Sequence, residues 1–155
     1  MVDQELHWRQ QADYATAKAT KWMLAFRRLV HTSTGIKPRL MRQMYLAVAV
    51  PKMSYAADVW YTPIYECEGR ARRSGSVGFT CRLITLQRLV ATAITGALRS
   101  TATDMLDLHA NLLQVDLLLH KICHRTAVQL ATLPASHPLA AQFQLRARKF
   151  IKSHR

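Results

Sequence analysis

The segment Tyr55-Ala-Ala-Asp58 is the part of this sequence that comes nearest to a catalytic motif. An enzyme that forms phosphodiester bonds holds two divalent metal ions with paired carboxylates, because one ion activates the attacking hydroxyl while the other stabilises the leaving oxygen. Asp58 has no such pair, since Val59 follows it and no second acidic cluster lies upstream. We interpret Asp58 as a surface or helix-capping carboxylate, or as the partner of an arginine, and not as a metal ligand.

His120, Cys123 and His124 form a second set of side chains with metal-binding chemistry. Spacings of three and four residues place them on one face of a helix, and imidazole and thiolate are zinc ligands. A structural zinc site needs four ligands, however, and no fourth lies nearby, whereas Leu119 and Ile122 belong to an apolar stripe. We therefore predict helix-face histidines beside a core cysteine, with no metal and no other cofactor.

The glycine and serine motifs that serve catalysis are missing as well. Ser74-Gly-Ser-Val-Gly78 lacks the lysine and the preceding strand that a phosphate-binding loop requires. No Gly-x-Ser-x-Gly elbow orders a serine together with a histidine and a carboxylate. The sequence therefore predicts a protein that is not an enzyme by itself.

A large excess of positive charge indicates the class of partner. Lysine and arginine number 22 against 9 aspartates and glutamates, which gives a net charge of +13. Such a charge favours a polyanion as the partner, with nucleic acid first and a membrane surface second.

No unbroken apolar run approaches the length of a transmembrane helix and the N-terminus is polar, so we expect neither a membrane span nor a signal peptide. Three cysteines, an odd number, argue against a secreted disulfide framework. We expect an intracellular protein, nuclear or cytoplasmic, with no membrane partner.

The elements that must position these charges have the pattern of helices. Glycine and proline number five each among 155 residues, and they separate long runs in which apolar residues recur at steps of three and four. We predict an all-α fold with one domain over residues 1–155, a single bundle of five to six helices, and a kink or break at Pro51. The predicted core stripes are Trp8, Ala12, Ala15, Ala19, Trp22, Phe26 and Leu29 in the first run, Leu40, Met44, Ala47 and Val48 in the second, Leu83, Leu86, Val90, Ile94 and Ala97 in the third, and Leu119, Ile122, Ala127 and Leu130 in the fourth.

Basic residues outside these stripes are the candidates for contact with nucleic acid. The glycine- and serine-containing basic segment 66–78 predicts a flexible loop, and the helix after it carries a polar stripe as regular as its apolar one. Phosphate contacts through such residues give affinity without sequence specificity. Trp22 and Trp60 have helical spacing beside alanines, which favours a place in the core over stacking on bases. The candidate nucleic-acid-binding residues are Lys18, Lys21, Arg70, Arg72, Arg73, Arg88, Thr95 and Arg99.

Three long segments resemble a known family. They are residues 14–29 (YATAKATKWMLAFRRL), residues 38–63 (PRLMRQMYLAVAVPKMSYAADVWYTP) and residues 74–113, which begin SGSVGFTCRLITLQRLV. The segments are similar to the region just downstream of the polymerase core in reverse transcriptases of non-LTR (LINE-type) retrotransposons, with the fungal copies the most similar. Gln114 departs from the family, in which a proline is expected at this position.

In that family this region is the helical thumb, which grips the template–primer duplex beside the palm that does the chemistry. The resemblance implies a thumb and its extension without fingers, palm aspartates or ribonuclease H, and hence a fragment that binds nucleic acid without catalysis. Its implied partners are RNA, DNA or an RNA–DNA duplex, held through the phosphate backbone, and the rest of a reverse transcriptase. The alternative is a relic or interaction protein derived from a transposon fragment, whose exposed apolar faces self-associate or bind a protein partner.

Overall fold

Helices make up most of the chain in the computed structural model, which describes residues 8–29, 35–66 and 73–153. The predicted all-α fold is confirmed. The described part holds seven helices, against the five to six expected, because a break in the second run sets off a helix of a single turn. The elements are α1 (Arg9–Leu29), α2 (Pro38–Met44, continued by a π-helical segment Tyr45–Ala49 and by Val50–Met53), α3 (Ala57–Trp60), β1 (Tyr65–Glu66), β2 (Arg73–Ser74), α4 (Val77–Thr95), α5 (Thr103–His109), α6 (Val115–Ala131) and α7 (Pro138–Ser153).

The two helices α1 and α4 pack against each other and run in the same direction. Arg82 donates to the Asp13 carboxylate over 2.6 Å near their N-terminal ends, and Met23 lies beside Leu89 further along. Apart from Leu29, whose side chain lies outside the described part of the chain, the residues of their predicted apolar stripes face the core. Trp22 is half-buried, and its ring is stacked 4.9 Å from that of Phe26. The buried side chains of these helices are Ala15, Ala19, Met23, Phe26, Phe79, Thr80, Leu83, Gln87, Val90, Ala91 and Ile94.

Helix α2 departs from regular α-helical bonding at Tyr45–Ala49. The buried residues of the run, Met41, Tyr45, Ala49 and Met53, recur at every fourth position. Four residues turn an α-helix by about 400°, or about 40° past a full turn, so a regular helix would carry this stripe away from the core. A π-helical turn bonds each residue to the fifth one along and rotates less per residue, and it therefore brings the stripe back to the core.

The predicted core stripe of α2 is wrong by one position. Leu40 and Ala47 are exposed, while Met44 and Val48 are half-buried. The neighbouring stripe is buried instead, and it contains Tyr45, whose hydroxyl has a buried partner on α4. Both stripes have a four-residue period, so the period alone does not distinguish them.

A left-handed residue separates α2 from α3. Ala56 has φ 52° and ψ 27°, so the break falls a few residues after Pro51 and not at the proline itself. The Trp60 indole N–H donates to the Tyr55 carbonyl over 2.9 Å, and the Trp60 ring meets that of Phe79 edge to face at 4.6 Å. Trp60 is 6% exposed, which confirms its predicted place in the core.

The segment 66–78, predicted to be a loop, contains regular structure at both of its ends. Strand β1 pairs antiparallel with β2, and α4 begins within the segment. Gly75 has φ +101°, and a Cβ at this position would clash with the Pro63 carbonyl oxygen. This backbone conformation and close approach require glycine.

Helix α4 is long and apolar enough, by length and composition alone, to cross a membrane. Polar residues are interspersed along this helix, so the sequence contains no unbroken apolar run of that length, and the expectation of no membrane span stays a prediction. The window concerned has a mean hydropathy of 1.3 and is 39% buried. Core helices of globular proteins meet the same criterion, and α4 packs against α1, α2, α5 and α6, which is the arrangement of a core helix.

Helices α6 and α7 lie at the periphery of the described bundle. α6 buries Val115 and Leu119 near its start, but of its other predicted core residues Ile122 and Leu130 are half-buried and Ala127 is exposed. α7 packs on α6. The core is therefore concentrated on α1 to α5 and the first turns of α6.

Candidate nucleic-acid interface

Arg88 projects from α4 towards the connection that leads to α5. Its guanidinium donates to the carbonyls of Arg99 over 2.6 Å and Thr101 over 2.7 Å, and to the Thr103 hydroxyl over 2.5 Å. An arginine offers five N–H groups in a planar fork, so N–H groups remain for a further partner. The structure thus gives Arg88 a role in holding this connection, which the regular polar stripe of the sequence did not reveal.

The polar stripe of α4 contains three threonines, whose hydroxyl groups donate hydrogen bonds to the backbone of the same helix. Thr85, Thr92 and Thr95 each donate to the carbonyl four residues earlier, over 2.8 to 3.0 Å. A hydroxyl has one proton to donate, so Thr95 could donate to a phosphate only by releasing the Ala91 carbonyl. The geometry therefore favours Arg88 and Arg99 over Thr95 as phosphate contacts.

Arg99 is exposed and lines a depression between α1 and α4. The depression has a volume of about 700 Å³, and Met23, Leu89 and Ala93 form its apolar floor beside Arg88. No carboxylate of the described chain pairs with Arg99. Its full charge is therefore directed to solvent and to any anionic partner.

Lys18 and Lys21 are both exposed on α1, but Lys18 borders a different depression. This second depression, of about 360 Å³, lies between α1 and the end of α2, where Lys52 and Tyr55 line it. At 3.6 residues per turn, Lys18 and Met23 point about 140° apart around α1. The structure therefore does not unite Lys18 with Arg88 and Arg99 in one site. Lys21 lines neither depression, and Arg99, predicted on the same helix as Arg88, lies beyond the end of α4.

Lys52 and Tyr55 were not among the predicted contacts. They are distant from Lys18 in the sequence and come close to it because α2 packs antiparallel to α1: Tyr45 contacts Trp22, and Tyr55 lines the same depression as Tyr14. An exposed lysine and tyrosine carry no signal of their own before the fold is known.

Arg73 lies in β2 and pairs with Glu66 in β1, with its Nε 3.5 Å from the carboxylate and both side chains mostly exposed. Exposed ion pairs contribute little free energy, so a phosphate can replace Glu66 at low cost. Arg70 and Arg72, the other predicted contacts of this segment, lie outside the described residues.

No protein-family model, no curated protein and no solved structure matches this chain. The resemblance to reverse transcriptase thumbs therefore stays a prediction.

A buried hydrogen-bonded network links α2, α4 and α5. The Tyr45 hydroxyl donates to Oε1 of Gln87 over 2.8 Å, and Nε2 of Gln87 donates to Oδ1 of Asp107 and to the Leu113 carbonyl, both over 3.0 Å. Gln87 is 2% exposed and Asp107 5%. Burial, with the charge of Asp107, raises the pKa of the Tyr45 hydroxyl, which keeps it protonated as a donor. Every buried side-chain nitrogen and oxygen of the described residues has a partner.

Asp104, Asp107 and Asp116 line a depression of about 360 Å³ on another side of α4. Phosphates are repelled by such a group of carboxylates, so this side of the molecule is unsuited to nucleic acid. No group of three or more histidine, cysteine or acidic side chains in the described chain is arranged to hold a metal ion.

The buried position of Asp107 predicts a pH-dependent stability. Burial raises the pKa of the carboxyl above its usual value, the Gln87 hydrogen bond opposes this, and Asp116 and Asp104 add to the rise. The pKa of Asp107 is therefore higher in the folded than in the unfolded state. The protonated carboxyl contributes to the free energy of unfolding, and this contribution is fully present below the unfolded pKa and is lost as the pH rises through the folded pKa.

Asp107→Asn keeps an acceptor oxygen for Gln87 and cannot ionise. The variant is expected to be more stable than the wild type at about pH 7, with the difference shrinking as the pH falls towards about 4, the usual range of an aspartate. Urea denaturation at several pH values measures this difference. A variant that is equally destabilised at every pH would contradict the assigned pKa direction.

Asp58, His120 and Cys123, the described residues with metal-binding chemistry near α6, contact other protein groups. Asp58 is exposed, as predicted, and accepts a hydrogen bond from the Thr126 hydroxyl over 3.3 Å. The His120 ring meets that of Tyr61 edge to face at 6.5 Å. Burial raises the pKa of the Cys123 thiol, and the charge of Asp58 adds to the rise, so this half-buried cysteine is a poor nucleophile at neutral pH.

Proposed function

We propose that this protein binds nucleic acid through the phosphate backbone and catalyses no reaction, in the manner of a reverse transcriptase thumb that grips a template–primer duplex. The observation that carries the proposal is the excess of exposed cations without carboxylate partners. The described residues contain two ion pairs, Arg73 with Glu66 and Arg82 with Asp13. The exposed cations outside these pairs are Lys18, Lys21, Arg28, Lys37, Arg39, Lys52, Arg99, Lys121, Arg125 and Arg146.

The placement of these charges suits a polymer better than a small anion. Arg99 on one flank of α1 and Lys18 on the other border separate depressions, and α1 with its 21 residues is about 30 Å long at 1.5 Å per residue. A duplex carries charge every few ångströms along its axis and can meet several such positions at once. Contacts of this kind give affinity for duplex shape and charge, whether RNA, DNA or a hybrid, and little preference for sequence.

Salt dependence tests the proposal directly. The affinity for a short blunt duplex, measured by fluorescence anisotropy, should fall linearly on a double logarithmic plot as salt rises. Arg99→Gln and Lys18→Gln, each at a residue that lines one of the two depressions, should each reduce the steepness of that plot by up to about 0.9, because each removes one phosphate contact. Both substitutions replace an exposed side chain, so folding should be unaffected.

Lys121→Gln is the matched control, because Lys121 is an exposed lysine on α6 outside both depressions. It should leave the slope unchanged. Binding that does not respond to salt would overturn the proposal, and a Lys121 variant as impaired as the Arg99 variant would overturn the assigned surface.

A second candidate, an interaction or relic protein that associates through apolar faces, is favoured by a separate observation. Leu98 is 76% exposed in the connection from α4 to α5, and Leu108 is 71% exposed near the C-terminal end of α5. Large exposed apolar side chains are suited to contacts with another protein, and such a partner could be the rest of a reverse transcriptase. A molecular mass that rises with concentration in light scattering, and that Leu98→Ser with Leu108→Ser returns to the monomer value, would support this candidate.

A further inference from the structure

Two exposed tyrosines border the same basic depression between α1 and the end of α2. Tyr14 is 55% exposed and Tyr55 is 72% exposed, and both line the depression with Lys18 and Lys52. None of the described residues that line it is acidic. A single exposed aromatic residue is common on protein surfaces, but two of them together with two cations and no carboxylate form a surface of specific chemistry.

The backbone that carries Tyr55 is fixed to the core. Its carbonyl accepts the Trp60 indole N–H over 2.9 Å, and Trp60 is buried. The left-handed Ala56 that follows turns the chain sharply at this point. The ring of Tyr55 therefore stands in solvent on a well-anchored backbone, so that little conformational entropy of the backbone would be lost on binding.

Lys18 connects the aromatic and cationic parts of the depression. Its Nζ lies 4.4 Å from the centroid of the Tyr14 ring, within the range of a cation–π contact. A nucleobase offers a π face for stacking on an aromatic ring, and the phosphate attached to it lies within a few ångströms. Tyr14 and Tyr55 thus fit the base, and Lys18 and Lys52 fit the phosphates on either side of it.

We propose that this depression, defined by Tyr14, Lys18, Lys52 and Tyr55, binds an unpaired nucleotide strand by stacking its bases on the two tyrosines. The inference rests on the proposed function and adds to it the type of strand bound at this flank of α1. In a base-paired duplex the π faces are covered by neighbouring base pairs, whereas an unpaired strand exposes them. A duplex with a single-stranded extension is accordingly the preferred ligand.

Three probes separate stacking from phosphate contact: a blunt duplex, the same duplex with an extension of about five nucleotides, and the same extension without its bases. Anisotropy titrations at one salt concentration should show the extension with bases bound about tenfold more tightly than the extension without them. Tyr14→Ala combined with Tyr55→Ala should abolish this difference. Tyr14→Phe combined with Tyr55→Phe should preserve it, since phenylalanine stacks as well as tyrosine.

Tyr65→Ala is the matched control, because Tyr65 is 56% exposed and lies in β1, outside the depression. Equal binding of the two extensions by the wild-type protein would overturn the inference while the proposed function stands. Loss of the preference in the Tyr65 variant would overturn the assigned position. If no probe binds, the proposed function fails and this inference fails with it.

Discussion

Replacing Gln87 by leucine is expected to lower the free energy of unfolding by about 3 kcal/mol, because several buried groups lose their partner at once. The Tyr45 hydroxyl would lose its acceptor, and the Leu113 carbonyl and the Asp107 carboxylate would lose their donor. Each buried polar group left without a partner costs about 1 to 3 kcal/mol, although the relaxation of neighbours recovers part of the sum. Urea denaturation of the purified variant measures the effect.

The matched control for this prediction is Gln43→Leu, because Gln43 is a glutamine on the exposed face of α2. That variant should change stability by less than about 0.5 kcal/mol. Tyr45→Phe should cost about 1 kcal/mol, since it removes one hydrogen bond and leaves Gln87 with an unused acceptor. If Gln87→Leu were as mild as Gln43→Leu, the buried network would have no part in stability.

Replacing Arg88 by methionine is expected to cost about 2 kcal/mol of stability and to change duplex affinity less than Arg99→Gln does. The substitution removes donors from the carbonyls of Arg99 and Thr101 and from the Thr103 hydroxyl. The aliphatic part of the side chain keeps most of its packing, so the loss reports on the hydrogen bonds. Thermal unfolding gives the stability, and anisotropy with a blunt duplex gives the affinity.

Arg88→Lys distinguishes charge from geometry at this position. A lysine keeps the positive charge but lacks the planar fork that reaches three acceptors at once, so it should recover little of the lost stability. Arg99→Met, the matched control, should leave stability unchanged because Arg99 is exposed. Full stability in the lysine variant would show that charge alone holds the connection between α4 and α5.

The fold class and the main core stripes could be predicted from the sequence because α1 and α4 are long and strongly periodic. Their predicted residues Phe26, Leu83 and Val90 are buried, and each belongs to a stripe with few competitors on its helix. In α2 two adjacent stripes share a four-residue period, and the buried one holds Tyr45. Tyr45 can be buried because Gln87, which is distant in the sequence, accepts the hydrogen bond of its hydroxyl. Tertiary contacts therefore determine which of the two stripes is buried.

The candidate site could be predicted only in part, for a similar reason. Its cations are evident from composition, but composition does not tell a solvent-facing arginine such as Arg99 from one such as Arg88 that binds backbone carbonyls. Nor does it show that Lys52 and Tyr55 lie beside Lys18. These relations depend on the direction in which α2 packs on α1.

The π-helical segment Tyr45–Ala49 should allow α2 to tolerate the deletion of one residue, which the other long helices of the described chain should not tolerate. A π-helical turn accommodates one residue more than regular α-helical winding needs. Excision of the exposed Ala47 would let this segment rewind as a regular α-helix while the flanking turns kept their orientation. The same excision in the middle of α4 would rotate all following residues of that helix by about 100° and move its buried glutamine away from its partners.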